Sequence, residues 1–343
     1  MKVWEYIVRR LFFLIFVLLG VTLITFVLSQ VLLDPLSLYM TEKTREADIP
    51  ILIAHYHLND PWPIRYGAYL WALLNGDWGY SRSLSQPVLS ALAARFPATA
   101  ELAIAAALWI VAVGIPLGII SALKNNKLPD HVSRLIALTG VSTPVFWLGL
   151  LLQVVFFYYF RMWGLPSLPS SGRFDATLAL QHPVKQITGL LVFDSLVTGN
   201  FIMTEDALAH LILPSFALGF VDLGVIMRIM RSSMLEVLRQ DYMIMARSKG
   251  LSERVVILRH ALKNALIPTV TIGGLVAATL LAGAPLTETV FAWPGMGRLA
   301  VDAIGTNDAP LIMGFVLIVA LILVLINLTV DILYAFLDPR IKL

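Results

Sequence analysis

Five uncharged apolar windows recur along this chain, at Leu11 to Leu33, Leu102 to Leu123, Leu135 to Phe160, Asn264 to Thr287 and Ala309 to Val330. Each is long enough to cross about 30 Å of hydrocarbon as a helix, which takes about 20 residues. A sixth window, Ala207 to Met227, is interrupted by His210 and Asp222, and the even spacing of the others counts it in. The pattern predicts an all-α membrane protein with six transmembrane helices in one domain, residues 1–343.

Two long segments separate the spans on one side. In residues 34–101, Tyr66, Tyr69, Leu70 and Leu73 form an i, i+3, i+4, i+7 stripe that predicts an amphipathic helix, ended by Gly76 and Gly79. A second amphipathic stretch, Val88 to Phe96, leads to Pro97 and the second span. This insertion reads either as a cap on the membrane surface or as a contact for an external protein. Residues 161–206 open rich in proline, glycine and serine, and carry an apolar patch, Ile187 to Val197, too short to span.

Composition supports the membrane setting: 58% of residues are hydrophobic, 14% are charged, and the mean hydropathy is +0.82. Most of the 25 lysines and arginines fall in short loops on the side of the N-terminus, notably Lys124, Lys127, Arg134, Arg228, Arg231, Arg239, Arg247, Lys249, Arg254, Arg259 and Lys263. Positive charge in short loops marks the cytoplasmic face, so both termini are expected there. The opposite side is acidic, with Asp34, Glu42, Glu46, Asp48, Asp60, Asp77 and Glu101 on the first outer loop. The net charge of +3 then reflects topology rather than nucleic-acid binding. Lys2, Arg9 and Arg10 precede an apolar run too long for a signal peptide, which reads as an uncleaved first span.

Within the spans, Gly114 and Gly118 form a GxxxG around Pro116, and Gly273, Gly274 and Gly283 mark the fifth span as one that packs closely. Pro116 and Pro144 are expected to kink their helices. Asp222 is a candidate for a polar translocation pathway or a partner for a donor on a neighbouring helix, and Asp331 for a cap or ion pair at the inner end of the sixth span.

No enzyme constellation emerges. HExxH, GxSxG and CxxC motifs are missing, and there is no cysteine, so thiolate metal sites and disulfides are excluded. His55 and His57 lack a third metal ligand in sequence. There is no Gly-Lys dipeptide and hence no phosphate-binding loop, so a process driven by ATP requires its ATPase on another chain, with no cofactor on this one.

The segment Asp241 to Pro268, DYMIMARSKGLSERVVILRHALKNALIP, lies between the fourth and fifth spans. Asp241 can cap one short helix, Gly250 suits the left-handed position that ends it, and Ser252 can cap a second that opens with Glu253. Val255, Leu258 and Leu262 form an apolar stripe beside the basic pair Arg259 and Lys263. Residues 231–265 read as a docking elbow for a soluble partner, or as an ordinary positive-inside loop.

ARSKGLSE followed by HALKNALIP resembles the cytoplasmic EAA loop of ABC-importer permeases, in the form found in the dipeptide/oligopeptide/nickel family. Ala246 and Gly250 match the general pattern, whereas Ile244 and Met245 stand where it has Glu and Ala. The likeness extends over nearly the whole chain, through GDWGYSRSLSQPV at 76–88, LILPSFALG at 211–219, ETVFAWPGMGRLAVDAI at 288–304 and VDILYAFLDPRIKL at the C-terminus. It implies a type I ABC-importer permease fold in the plasma membrane of a prokaryote. It also implies a homologous second permease, two ATPases carrying ATP and Mg, and an extracytoplasmic binding protein. By that resemblance, Ala246, Arg247, Ser248, Lys249, Gly250, Leu251 and Ser252 form the coupling helix that docks on an ATPase. Trp293, Pro294 and Gly295 would face the binding protein, or else form a tight outer turn packed on the bundle. Peptides, nickel chelates and oligosaccharides are all substrates in the family. The rival classes are a stand-alone secondary transporter or channel, for which no internal repeat is visible, and an intramembrane enzyme, for which no catalytic set is.

Overall fold

The computed structural model describes residues 3–32, 36, 39–40, 44–282 and 285–337. Among them, six helices are long and apolar enough to cross a membrane. They are α1 (Val3–Leu32), α3 (Val88–Leu123), α5 (Val145–Met162), α7 (Phe201–Leu238), α9 (Glu253–Leu281) and α12 (Ala309–Leu337), with α2 (Trp62–Leu74), α4 (Leu128–Ser142), α6 (Leu191–Val197), α8 (Asp241–Ser248), α10 (Pro285–Val290) and α11 (Met296–Gly305) between them. A two-residue antiparallel hairpin, β1 (Tyr80–Ser81) and β2 (Gln86–Pro87), precedes α3.

The longest helix, α7, is the hub, packing against α3, α4, α5, α6 and α9. At 38 residues it reaches about 57 Å, well beyond the hydrocarbon. Its approach to α3 and α4 depends on small residues. A Cβ on Gly118 would stand 2.7 Å from the Met230 Cβ, and one on Gly224 would stand 2.7 Å from the Ala137 carbonyl. Small residues let helix backbones close in where there is no hydrophobic force between helices in lipid. Gly274 abuts Val330 of α12 in the same way, Gly273 meets nothing, and Gly283 lies outside the described residues.

Three boundaries and one helix interior differ from those expected. The stretch from Val88 runs through Pro97 into the second span without a break, with Val88 and Leu92 fully buried. A π turn at Ile110–Gly114 precedes Pro116, absorbing the amide hydrogen bond that proline cannot make. The third span is two helices, because Thr143, held extended (ψ 123°) ahead of Pro144, ends α4. The fifth span closes at Leu281, and Pro285–Val290 is a separate outer helix.

The outer segments are fastened by buried acids. Glu101 pairs with Arg173 at 2.6 Å and accepts the Val192 amide, tying residues 161–206 to α3. Asp194 accepts the amides of Ile187, Thr188 and Gly189, folding the Ile187 to Val197 patch onto itself, with α6 resting on α7. Asp308 accepts from Ser81, Ser83 and the Leu311 amide, anchoring the hairpin to α12. Burial pushes the Asp308 carboxyl up, and these donors outweigh it, so its pKa falls below the ordinary value. The stripe on α2 lies against α1, where Tyr66 meets Thr22 at 2.9 Å and Tyr69 is buried beside Phe26.

Candidate functional site

The segment between α7 and α9 folds as an elbow. Residue Gln240, extended at ψ 147°, occupies the cap position of α8, so Asp241 is its first residue and caps nothing through its side chain. Gly250 then turns the chain with φ +77°, the left-handed conformation that glycine adopts without strain. Ser252 sits at the cap position of α9 without a side-chain hydrogen bond, although its carbonyl accepts the Val255 amide at 2.9 Å. Across the turn, the Arg247 guanidinium grips both Glu253 oxygens, at 2.9 and 3.2 Å. Both side chains are exposed, so this fork sets the angle of the elbow more than its stability.

The elbow is not a loose loop. Met243, Ala246, Val256, Ala261 and Ala265 pack with Ala122, Met230 and Met234 in one buried cluster, joining α8 to α3, α7 and α9 at one end of the bundle. The second helix of the elbow and the fifth span are one element, interrupted only by a π turn at Val256–Ala261. Any force on α8 therefore reaches three spans through rigid, close-packed contacts.

The outward surface has a different character. Ile244 and Met245 are more than half exposed, and Tyr242, Leu251, Val255 and Leu258 are exposed beside them. The sequence stripe of Val255, Leu258 and Leu262 thus turns outward or half outward, and Val256 on the next position takes the core. Arg247, Ser248, Lys249, Gly250, Leu251 and Ser252 are all exposed, whereas Ala246 lies in the core beneath them. Arg254, Arg259 and Lys263 are exposed too, giving an apolar crown with a basic rim. Exposed apolar patches with a polar rim are characteristic of interaction surfaces.

At the other end, α10 and α11 enclose the turn that holds Trp293, Pro294 and Gly295. Trp293 is fully buried, and its indole N–H donates to the Ala98 carbonyl at 2.8 Å. Glu288 is buried below it, accepting the Thr99 hydroxyl and the Arg298 amide, each at 2.8 Å. Burial raises the Glu288 pKa, and these donors, with the Gly297 amide, offset part of the rise. A Cβ on Gly295 would overlap the Glu288 carboxylate, so only glycine fits there. Of the three expected contact residues, Pro294 is the only one with accessible surface; Trp293 and Gly295 form the packed interior of the turn.

Asp222 is half buried on α7 and has no hydrogen-bond partner among the described residues. It does not line either of two apolar cavities nearby, one of about 620 Å³ between α3, α6 and α7 and one of about 340 Å³ between α3, α9 and α12. The Asp331 side chain lies outside the described residues. One inner contact escaped sequence reasoning altogether. Asp130, fully buried at the start of α4, accepts Arg231 Nε at 2.7 Å and Nη2 at 2.9 Å, the Ser121 hydroxyl at 2.6 Å and the Asn126 amide at 2.9 Å. The only sequence signal for it is an aspartate and an arginine, each at the inner end of a span.

Comparison with known proteins identifies the family. Residues 114–343 match the family described as binding-protein-dependent transport system inner membrane component. The dipeptide transport system permease protein DppB of Alkalihalophilus pseudofirmus is 43% identical over 98% of this chain and 99% of its own length. The probable D,D-dipeptide transport system permease protein DdpB of Escherichia coli is 43% identical over 99% of this chain and 98% of its own. The oligopeptide transport system permease protein AppB of Bacillus subtilis is 35% identical over 98% and 99%. With six membrane-crossing helices and full-length kinship of this strength, the chain belongs to the binding-protein-dependent transport system inner membrane component family and is a multi-pass permease subunit of the bacterial plasma membrane.

Proposed function

We propose that this permease subunit forms half of the pathway of an ATP-driven importer of short peptides, paired with a homologous second permease. Both termini and the elbow face the cytoplasm, where residues 246–252 dock on one of two ATPases, and an extracytoplasmic binding protein delivers the peptide to the face built by residues 34–101, 161–206 and the 293–295 turn. The observation that carries this reading is the elbow itself: an exposed apolar crown on a core continuous with α3, α7 and α9. Closing of the ATPases on ATP would pull the elbow and rock those helices as a body, and hydrolysis would release them. The relatives are permeases of dipeptide, D,D-dipeptide and oligopeptide transport systems, which favours peptides over nickel chelates or oligosaccharides.

The test is reconstitution in vesicles with a homologous second permease, the ATPases and a binding protein. Dipeptide uptake is expected only with all chains, ATP and Mg present. Uptake by this chain alone, without ATP, would establish a secondary transporter or channel instead.

Asp222 supplies a finer check. As a carboxylate with no partner among the described residues, it is assigned to the pathway. Asp222→Leu is expected to lower uptake by the assembled complex roughly tenfold, the worth of one charge-assisted contact. Unchanged uptake with a lowered melting temperature would mark the residue as structural.

A further inference from the structure

A third pocket lies between α4 and α7. Its volume is about 400 Å³, and three guanidinium groups, Arg134, Arg228 and Arg231, line it together with Leu138, Val141 and Met227. No acidic side chain is among the described residues that line it. Among the described residues, the carboxylate paired with these arginines is Asp130, fully buried and already held by Arg231. Arg231 spends Nε and Nη2 on Asp130 and Asn125, which leaves Nη1 with no protein partner among the described residues. Arg228 is exposed and makes no hydrogen bond or ion pair with any described residue. Arg134 touches His131 at 2.9 Å and stands 3.6 Å from Asp130.

The rest of the lining points to the occupant. Leu138 and Val141 are exposed along α4, in line with Leu135, which is 64% exposed, so the apolar half of the pocket opens onto a greasy helix face of a membrane protein. A soluble anion would use the arginines and leave that half empty. An amphiphile with one negative head and acyl tails would use both. Guanidinium forks match phosphate oxygens, and basic pockets between membrane helices hold anionic headgroups.

We propose that this pocket binds an anionic phospholipid, its phosphate held by Arg134, Arg228 and Arg231 and its acyl chains laid along Leu138 and Val141. The lipid bridges α4 to the central helix α7 where the Asp130 pair already fastens them, so it stabilises the inner end of the bundle.

The experiment uses the full-length chain, delipidated in a neutral maltoside detergent, with its melting temperature followed as dioleoyl phosphatidylglycerol is added. Saturable stabilisation is expected with phosphatidylglycerol and not with dioleoyl phosphatidylcholine or glycerol phosphate. The half-saturating lipid fraction is expected to rise about thirtyfold in the Arg134→Gln, Arg228→Gln double variant and about fivefold in Arg228→Gln alone. The single variant breaks no contact with any described residue, so its fold is safe. Arg239→Gln, an exposed charge on the same side but outside the pocket, is expected to leave the titration unchanged. Equal stabilisation by phosphatidylcholine or by glycerol phosphate, no shift in either variant at Arg228, or an equal shift in Arg239→Gln would each overturn the assignment. The first would mean a generic detergent replacement, the second a free-anion site, the third a lipid bound elsewhere on the chain, and the last a diffuse surface charge.

Discussion

Arg231→Met is expected to cost about 3 kcal/mol of stability at neutral pH, read as a fall in the denaturation midpoint of the purified chain in detergent. The loss comes from what it leaves behind. Asp130 is fully buried, and Arg231 provides two of its hydrogen bonds and its countercharge; with methionine there, an ionised carboxylate stays inside with only the Ser121 hydroxyl and the Asn126 amide as close donors. Removing one member of a buried pair is costly for that reason, even where the intact pair is worth little against a hydrophobic substitute. The pH dependence gives the test its sign. The Arg231 hydrogen bond, opposed by burial and helped by Ser121 and Asn126, holds the Asp130 carboxyl well below the usual carboxylate range. A folded pKa below the unfolded one contributes stability that is present above roughly pH 4 and is lost as pH falls beneath it. In Arg231→Met the carboxyl rises, so the gap between wild type and variant is expected to be full at neutral pH and to shrink as acid protonates Asp130. A gap that stays constant down to the acid unfolding limit would show that Arg231 acts by packing its stem rather than through the ion pair.

That pair illustrates where sequence reading stops. Six spans were legible because membrane crossing is a local property: length and the absence of charge decide it within one window. Gly250 was legible for the same reason, since a left-handed turn between two short helices is written in neighbouring residues. Asp130 and Arg231 lie 101 positions apart, and nothing local joins them. The same holds for Glu101 with Arg173 and for Asp308 with the hairpin serines: Glu101, which read only as part of a charge bias on one face, fastens residues 161–206, and Asp308 carried no sequence signal. Prolines misled in both directions. Pro97 looked like a boundary and lies inside a continuous helix, while Pro144, expected to kink a span, splits it, because Thr143 before it is forced extended. Around the elbow, periodicity identified the helices and an apolar stripe, but nothing local in the sequence says which face the core takes. Three spans meet under α8, so the small residues Ala246, Ala261 and Ala265 take the interior, and the larger Leu258 is left outside. For Trp293 the resemblance implied a contact with the binding protein, with a tight turn packed on the bundle as the alternative; the Ala98 carbonyl and a pocket between α3 and α7 draw the side chain in.

Gly250→Asp is expected to leave the chain in the membrane at nearly its usual level and to abolish ATP hydrolysis stimulated by the binding protein and peptide in the assembled complex. Two effects separate at this position. A side chain there meets no atom within 4 Å, so nothing in this chain clashes with it. The backbone, at φ +77°, charges an ordinary L-residue about 1 kcal/mol, which a bundle of this size tolerates. Docking is where the carboxylate does harm. It would sit on the exposed turn between Lys249 and Leu251, and a partner covering Ile244, Met245 and Leu251 would bury it. An unpaired carboxylate in such an interface costs about 3 kcal/mol or more, a loss of more than a hundredfold in affinity for the ATPase. Gly250→Asn separates the two effects, because asparagine tolerates the left-handed region and carries no charge. It is expected to keep most of the stimulated hydrolysis, whereas the aspartate loses it with membrane abundance unchanged. If both variants failed alike, backbone strain at the turn would be the cause. If Gly250→Asp kept full stimulation, residues 246–252 would not be the docking surface, and the apolar crown of the elbow would need another occupant.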